Sequence, residues 1–142
     1  MKILSALLLA LMAASFHVSA GESRCKHEGV VVVEMRTSDQ DAKINGQVVR
    51  SGMELGAIRE ACAAYMVVLL VPEATLRDLL DFGFIASKAG FDEKSGNYLA
   101  FVYSADRSRM TILKSMATVR YSDDRETLEG WVKQPPVVDD YF

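Results

Sequence analysis

Met66-Val67-Val68-Leu69-Leu70-Val71 is an unbroken apolar run of strand length, stopped by Pro72. With no polar position on either side, such a run reads as a strand buried on both faces, in the middle of a sheet. Helical patterns flank it. Ahead of it, Ser51-Gly52-Met53-Glu54 matches a capping box, in which the serine accepts from the backbone of Glu54 while the glutamate reaches back. Leu55, Ile58, Cys62 and Tyr65 then share one helical face and leave Glu54, Arg59 and Glu60 to solvent. Behind it, Thr75 opens a second helix. Leu76, Leu79, Leu80 and Phe84 point inward in this reading, and Arg77, Asp78 and Asp81 outward. Gly90 after Ala89 is a natural C-terminal cap.

Outward from this centre the pattern is extended. Residues 30–37 are rich in β-branched types and alternate from Val33 onward, which predicts a strand. Residues 38–41 are a polar turn, and residues 42–49 a second strand interrupted by Asn45-Gly46. That pair is either a tight hairpin or a bulge within one strand. Residues 92–97 are a polar loop and residues 98–103 another apolar strand. Strand-like pieces follow around residues 111–113 and 117–119. Residues 124–132 have a helical stripe of Leu128, Trp131 and Val132, and Pro135-Pro136 stops regular structure. The order strand, strand, helix, strand, helix, strand requires crossover connections. The fold class is α+β: a small mixed β-sheet with two helices packed on one face, in β-β-α-β-α-β order, plus a C-terminal extension over residues 104–142.

The first twenty residues stand apart. Lys2 precedes a nearly unbroken apolar stretch, and Val18-Ser19-Ala20 follows with small residues at cleavage spacing. This is the order of a secretory signal peptide. Fourteen helical residues rise about 21 Å, short of the roughly 30 Å hydrocarbon core of a membrane. Cleavage after Ala20 leaves a single domain, residues 21–142, that is periplasmic or secreted. Its charge falls from −3 to −4, because Lys2 goes with the leader. A mildly acidic domain lacks the electrostatic footprint of a nucleic-acid binder, and no basic amphipathic stretch suggests a membrane surface. In an oxidising compartment the even pair Cys25 and Cys62 predicts a disulfide.

These elements resemble the periplasmic domain of the ExbD/TolR family of biopolymer-transport proteins. The likeness rests on residues 30–35 with Lys43-Ile44-Asn45-Gly46-Gln47-Val48-Val49, on residues 55–63 running into 67–71, and on residues 76–91 ending Lys88-Ala89-Gly90-Phe91. It covers residues 30–103. The resemblance implies a binding or accessory domain that can form a homodimer and that meets peptide segments or cell-envelope material. Members of that family carry a membrane helix with an acidic residue for proton coupling. Residues 1–20 contain no Asp or Glu, so the energising role does not carry over.

Catalysis needs a nucleophile, a base and an orienting group together. The sequence has no G-x-S-x-G elbow, no H-E-x-x-H and no glycine-rich phosphate loop. After the leader the single histidine is His27, in the N-terminal stretch. The carboxylate pairs Asp39/Asp41, Asp123/Asp124 and Asp139/Asp140 sit in turns or tails, where such groups are ordinarily solvated. The reading is therefore a non-enzyme without catalytic residues, cofactor or metal, which binds a protein or peptide. Its candidate binding residues are Lys43, Asn45, Gln47 and Val48, on a short polar edge strand. The alternative is a free-standing secreted inhibitor or interaction protein that works through an exposed loop or sheet edge.

Overall fold

A computed structural model describes residues 25–35 and 40–137; the leader with its Ala20 cleavage point, and Asp39, Asp139 and Asp140, lie outside the described residues. Among the described residues the elements run β1 (Val30–Met35), β2 (Ala42–Ile44), β3 (Gln47–Val49), α1 (Glu54–Glu60), β4 (Tyr65–Leu70), α2 (Leu76–Lys88), β5 (Tyr98–Tyr103), β6 (Arg109–Ile112), β7 (Thr118–Arg120) and α3 (Arg125–Lys133). The strands form one mixed sheet in the order β3-β2-β1-β4-β5-β6-β7. β1, β4 and β5 are parallel, and the other pairings are antiparallel. The α+β expectation is met, with α1 and α2 on one face. The C-terminal extension is part of the same body: β6 and β7 widen the sheet, and α3 covers its other face.

β4 occupies the middle, and Met66, Val67, Val68, Leu69 and Leu70 are all buried. Its alternate residues feed two cores. Met66, Val68 and Leu70 join Val31 and Val33 beneath Ile58, Phe82 and Ala86. Val67 and Leu69 join Val30, Val32 and Phe101 beneath Leu128 and Val132. Trp131 stacks on Phe101 at 5.7 Å, and Arg125 donates to the carbonyl of Val30 at 2.7 Å, fixing α3 to the sheet.

Four local readings are corrected. Ser51 does not cap α1. Met53 N–H donates to the carbonyl of Arg50, and Gly52 stands at φ 88°, so Ser51 belongs to a turn, and Met53 takes the N-cap position of α1 with no side-chain cap. The face through Cys62 and Tyr65 also fails, because α1 ends at Glu60 and Cys62 takes a left-handed φ of 51°. Glu54, expected in solvent, is buried. The largest change is the phase of α2. Asp78, Phe82 and Ala86 face the sheet, whereas Leu76, Leu80 and Phe84 are 71%, 65% and 64% exposed. Asp78 is drawn inward by a capping box: its Oδ2 accepts from the backbone N–H and the hydroxyl of Thr75 at 2.8 Å each, and Thr75 Oγ1 accepts from Asp78 N–H at 3.2 Å.

Cys25 and Cys62 are bridged, with Cα atoms 5.0 Å apart. The bridge ties the segment before β1 to the end of α1.

Candidate functional site

The Asn45-Gly46 alternative resolves as a tight hairpin. Both residues have positive φ, 50° and 81°, as a primed two-residue turn requires. Asn45 N–H donates to the Val32 carbonyl at 2.8 Å, and its side-chain Oδ1 accepts from Val32 N–H at 3.0 Å. The Asn45 carboxamide thus holds the turn against β1 and is not offered outward. Lys43 lies one strand in, opposite Glu34 and Val48. Gln47 and Val48 stand on β3, the outermost strand, and Val48 is 65% exposed.

The register decides which backbone groups are open. Residues flanking a two-residue turn form the hydrogen-bonded pair, here Ile44 and Gln47. The next pair, Lys43 and Val48, is then the non-bonded one, so Val48 presents its N–H and C=O away from β2. Beside this edge a groove of about 700 Å³ runs between β3 and α1, lined by Val48, Val49, Met53 and Ala57 with Arg50 and Glu60 at its margins.

A second concavity lies on the far flank of α2. Seven strands at about 4.8 Å span roughly 30 Å, while two helices of about 10 Å each cover roughly 20 Å. The helical layer therefore stops over β5. There a cleft of about 470 Å³ opens between α2 and the β5–β6 side, floored by Leu79, Phe91, Tyr98, Ala100 and Leu113. Gly83 and Ser87 form its helical wall, and Asp92, Glu93 and Lys114 its rim. Burial, and secondarily the charge of Glu93, push the Tyr98 phenol up to about 12. Hydrogen bonds from Ser95 hold Asp92 below its ordinary value, and so ionised.

At the C-terminal ends of the parallel strands, Glu34, Tyr103, Arg107 and Tyr121 form a polar cluster. Glu34 Oε1 accepts from Arg107 at 3.1 Å and from the Tyr103 hydroxyl at 3.2 Å. The guanidinium lies 5.0 Å from the Tyr103 ring centroid and 5.8 Å from that of Tyr121. Burial foremost raises both phenols, so they stay protonated at neutral pH. The cluster braces β1 to the β5–β6 turn across β4.

Of the carboxylates weighed for acid–base work, Asp41 and Asp124 are engaged structurally. Asp41 accepts from Ser51 N–H at 3.1 Å, and Asp124 caps α3 through Thr127 N–H at 2.9 Å. His27 is exposed at φ 48°, two residues beyond Cys25. Among the described residues no cluster of His, Cys, Asp and Glu is arranged to hold a metal ion, and no helix is long and apolar enough to cross a membrane. Sequence reasoning missed both the α2 ridge and the cleft beside it; Thr75-Leu76-Arg77-Asp78, a capping-box pattern, was the available signal for the helix phase.

Fold and site define a disulfide-bridged α+β domain with an open sheet edge and a half-covered helical face. Compared with protein-family models, curated proteins and solved structures, the chain gives no match.

Proposed function

We propose that the chain is an exported, non-catalytic binding domain that takes an extended segment of a protein partner onto β3. The observation that carries this reading is the outward-facing backbone of Val48 beside an apolar groove. An incoming strand pairs with such an edge through main-chain hydrogen bonds, and side chains on one of its faces enter the groove for selectivity. Lys43, Gln47 and Val48 are the residues it would meet, with Asn45 as the support of the turn. The Cys25–Cys62 bridge supports an oxidising compartment, periplasmic or extracellular. The chain order from β1 to β5 supports the likeness to the periplasmic ExbD/TolR domains, in which a partner in the cell envelope is the natural expectation. An inhibitor that captures a foreign protein would use the same edge.

Val48→Pro tests the edge. Proline removes the outward N–H and leaves the β2 pairing alone. We expect this variant to melt close to wild type and to lose the envelope proteins that the wild type retains on an affinity column. Equal retention by both would refute edge recognition. Export is tested by the intact mass of protein recovered from outside the cytoplasm, which should correspond to a chain starting at Gly21.

A further inference from the structure

Between the start of α1 and the N-terminal half of α2 lies a hollow of about 300 Å³. One side of it is apolar, formed by Met35, Phe84 and Ile85, and the other is acidic, formed by Glu54, Asp78 and Asp81. Glu54 and Asp78 are the buried charged residues among the described ones, at 6% and 3% exposure. Asp78 is engaged by Thr75. The side chains of Glu54 and Asp81 take no hydrogen bond or ion pair from any described residue. No lysine, arginine or histidine is among the described residues that line the hollow. Lys88, with its Nζ 5.3 Å from the centroid of the Phe84 ring, is ten residues beyond Asp78, about 15 Å further along the helix.

We propose that this hollow binds the ammonium end of an alkylamine, the group that a lysine side chain and a free diamine share. A carboxylate that has left water without a partner is held at a cost, and a cation entering beside it gains Coulomb energy in a medium of low dielectric constant. Folding has already stripped Glu54 of most of its water, so that desolvation does not count against binding. The carboxylate thus points to its own missing partner.

The walls choose the kind of cation. A hard metal ion wants oxygen ligands on every side, whereas half of this hollow is thioether, ring and aliphatic carbon. An alkyl stem lies against that half while its ammonium, with three donors, meets the carboxylates. Asp81 is exposed at the mouth, where it would meet the second ammonium of a diamine. Asp41, held by Ser51 N–H at 3.1 Å, adds negative charge at the margin, since Ser51 also lines the hollow. Neither Val48 nor Val49 takes part, so the site goes beyond the edge-binding reading and either can fail alone.

Amide chemical-shift titration of the disulfide-bonded protein at low salt is the test, with cadaverine, N-acetyl-lysine amide, n-pentanol and calcium chloride as probes. Both amines should give saturable shifts around Glu54 and Asp81, and n-pentanol and calcium should give none there. Glu54→Gln keeps the shape of the side chain and removes its charge. It should raise the Kd of both amines about tenfold or more, and it should melt at or above wild type because a buried unpaired carboxylate is gone. Asp81→Asn, at an exposed position, stays folded and should weaken cadaverine more than the capped lysine. Tighter binding of cadaverine, with its advantage lost in Asp81→Asn, identifies a free diamine as the ligand; equal affinities identify a lysine side chain, and both results support the site. Val48→Pro should bind cadaverine as wild type does. Amines that give no saturable shift, n-pentanol bound as well as cadaverine, calcium bound in place of the amines, or a Glu54→Gln variant that binds unchanged or melts lower would each overturn the proposal.

Discussion

Alanine at Phe82 and at Leu80 should have very unequal effects, although the residues are two apart on one helix. Phe82 is fully buried between α2 and the sheet, against Met66 and Val68 in the same core. Truncating a buried phenylalanine costs about 3–5 kcal/mol, from lost transfer energy and the cavity left behind. Leu80 is 65% exposed, so only about a third of its surface leaves water on folding. Full burial of a leucine is worth roughly 1.5–3 kcal/mol, which scales to about 0.5–1 kcal/mol here. Alanine's better helix propensity offsets part of that. Against a typical stability of about 5–15 kcal/mol, Phe82→Ala should bring the domain near unfolding and Leu80→Ala should barely register. Urea unfolding at neutral pH, followed by far-UV circular dichroism, reads both. It should be run at protein concentrations low enough that self-association contributes nothing to the apparent stability. A Leu80→Ala loss equal to that of Phe82→Ala would mean that the helix presents the opposite face to the sheet.

Alkaline stability should carry the mark of Tyr98. Its phenol is raised in the folded state from 10 to about 12, so folding favours the neutral form by about 3 kcal/mol, an order-of-magnitude figure. That stability is fully present below pH 10 and is lost as pH rises through about 12; Tyr98→Phe should flatten the drop seen in urea titrations across this window. Arg107→Ala and Glu34→Gln should each destabilise modestly, with a coupling of about 0.5–1 kcal/mol in a double-mutant cycle, since the arginine is about half exposed. The double variant Cys25→Ser/Cys62→Ser should lose up to about 4 kcal/mol relative to the oxidised protein, the chain-entropy value for a loop of 37 residues. Thr75→Ala removes the hydroxyl that donates to a buried carboxylate and accepts from its backbone N–H, and should cost about 1–3 kcal/mol, measurable by the same unfolding assay.

Strands were the legible part of the chain. Tyr98–Tyr103 is bounded by polar residues and consists almost wholly of apolar ones, so its limits coincide with the pattern. Asn45-Gly46 left two geometries open because the flanking strands have only three residues each, too few for alternation to decide. Helix α2 was illegible in phase for a physical reason. Apolar residues at 76, 79, 80, 82, 84, 85 and 86 wrap around it, so a stripe can be drawn on nearly any side. The choice is made by Phe82 and by the Thr75–Asp78 cap, which buries an acid at the first turn. The leucines outnumber these and mislead. The cleft beside β5 was beyond reach altogether, since it arises from a mismatch between sheet width and helix count that exists only once β6 and β7 have joined the sheet.

Because α3 is the last element among the described residues and yet seals the face of β1 and β4, synthesis order matters. Everything up to Tyr103 can emerge, and β1, β4 and β5 can pair, while Val30, Val32, Val67, Leu69 and Phe101 still lack their cover. A chain delivered N-terminus first thus passes through a stage in which one half is finished and the other is a bare greasy plane. During that interval it exposes the kind of apolar surface that invites aggregation. Any stop codon or protease cut between residues 104 and 124 would make that stage permanent, and the product would be sticky rather than merely shorter.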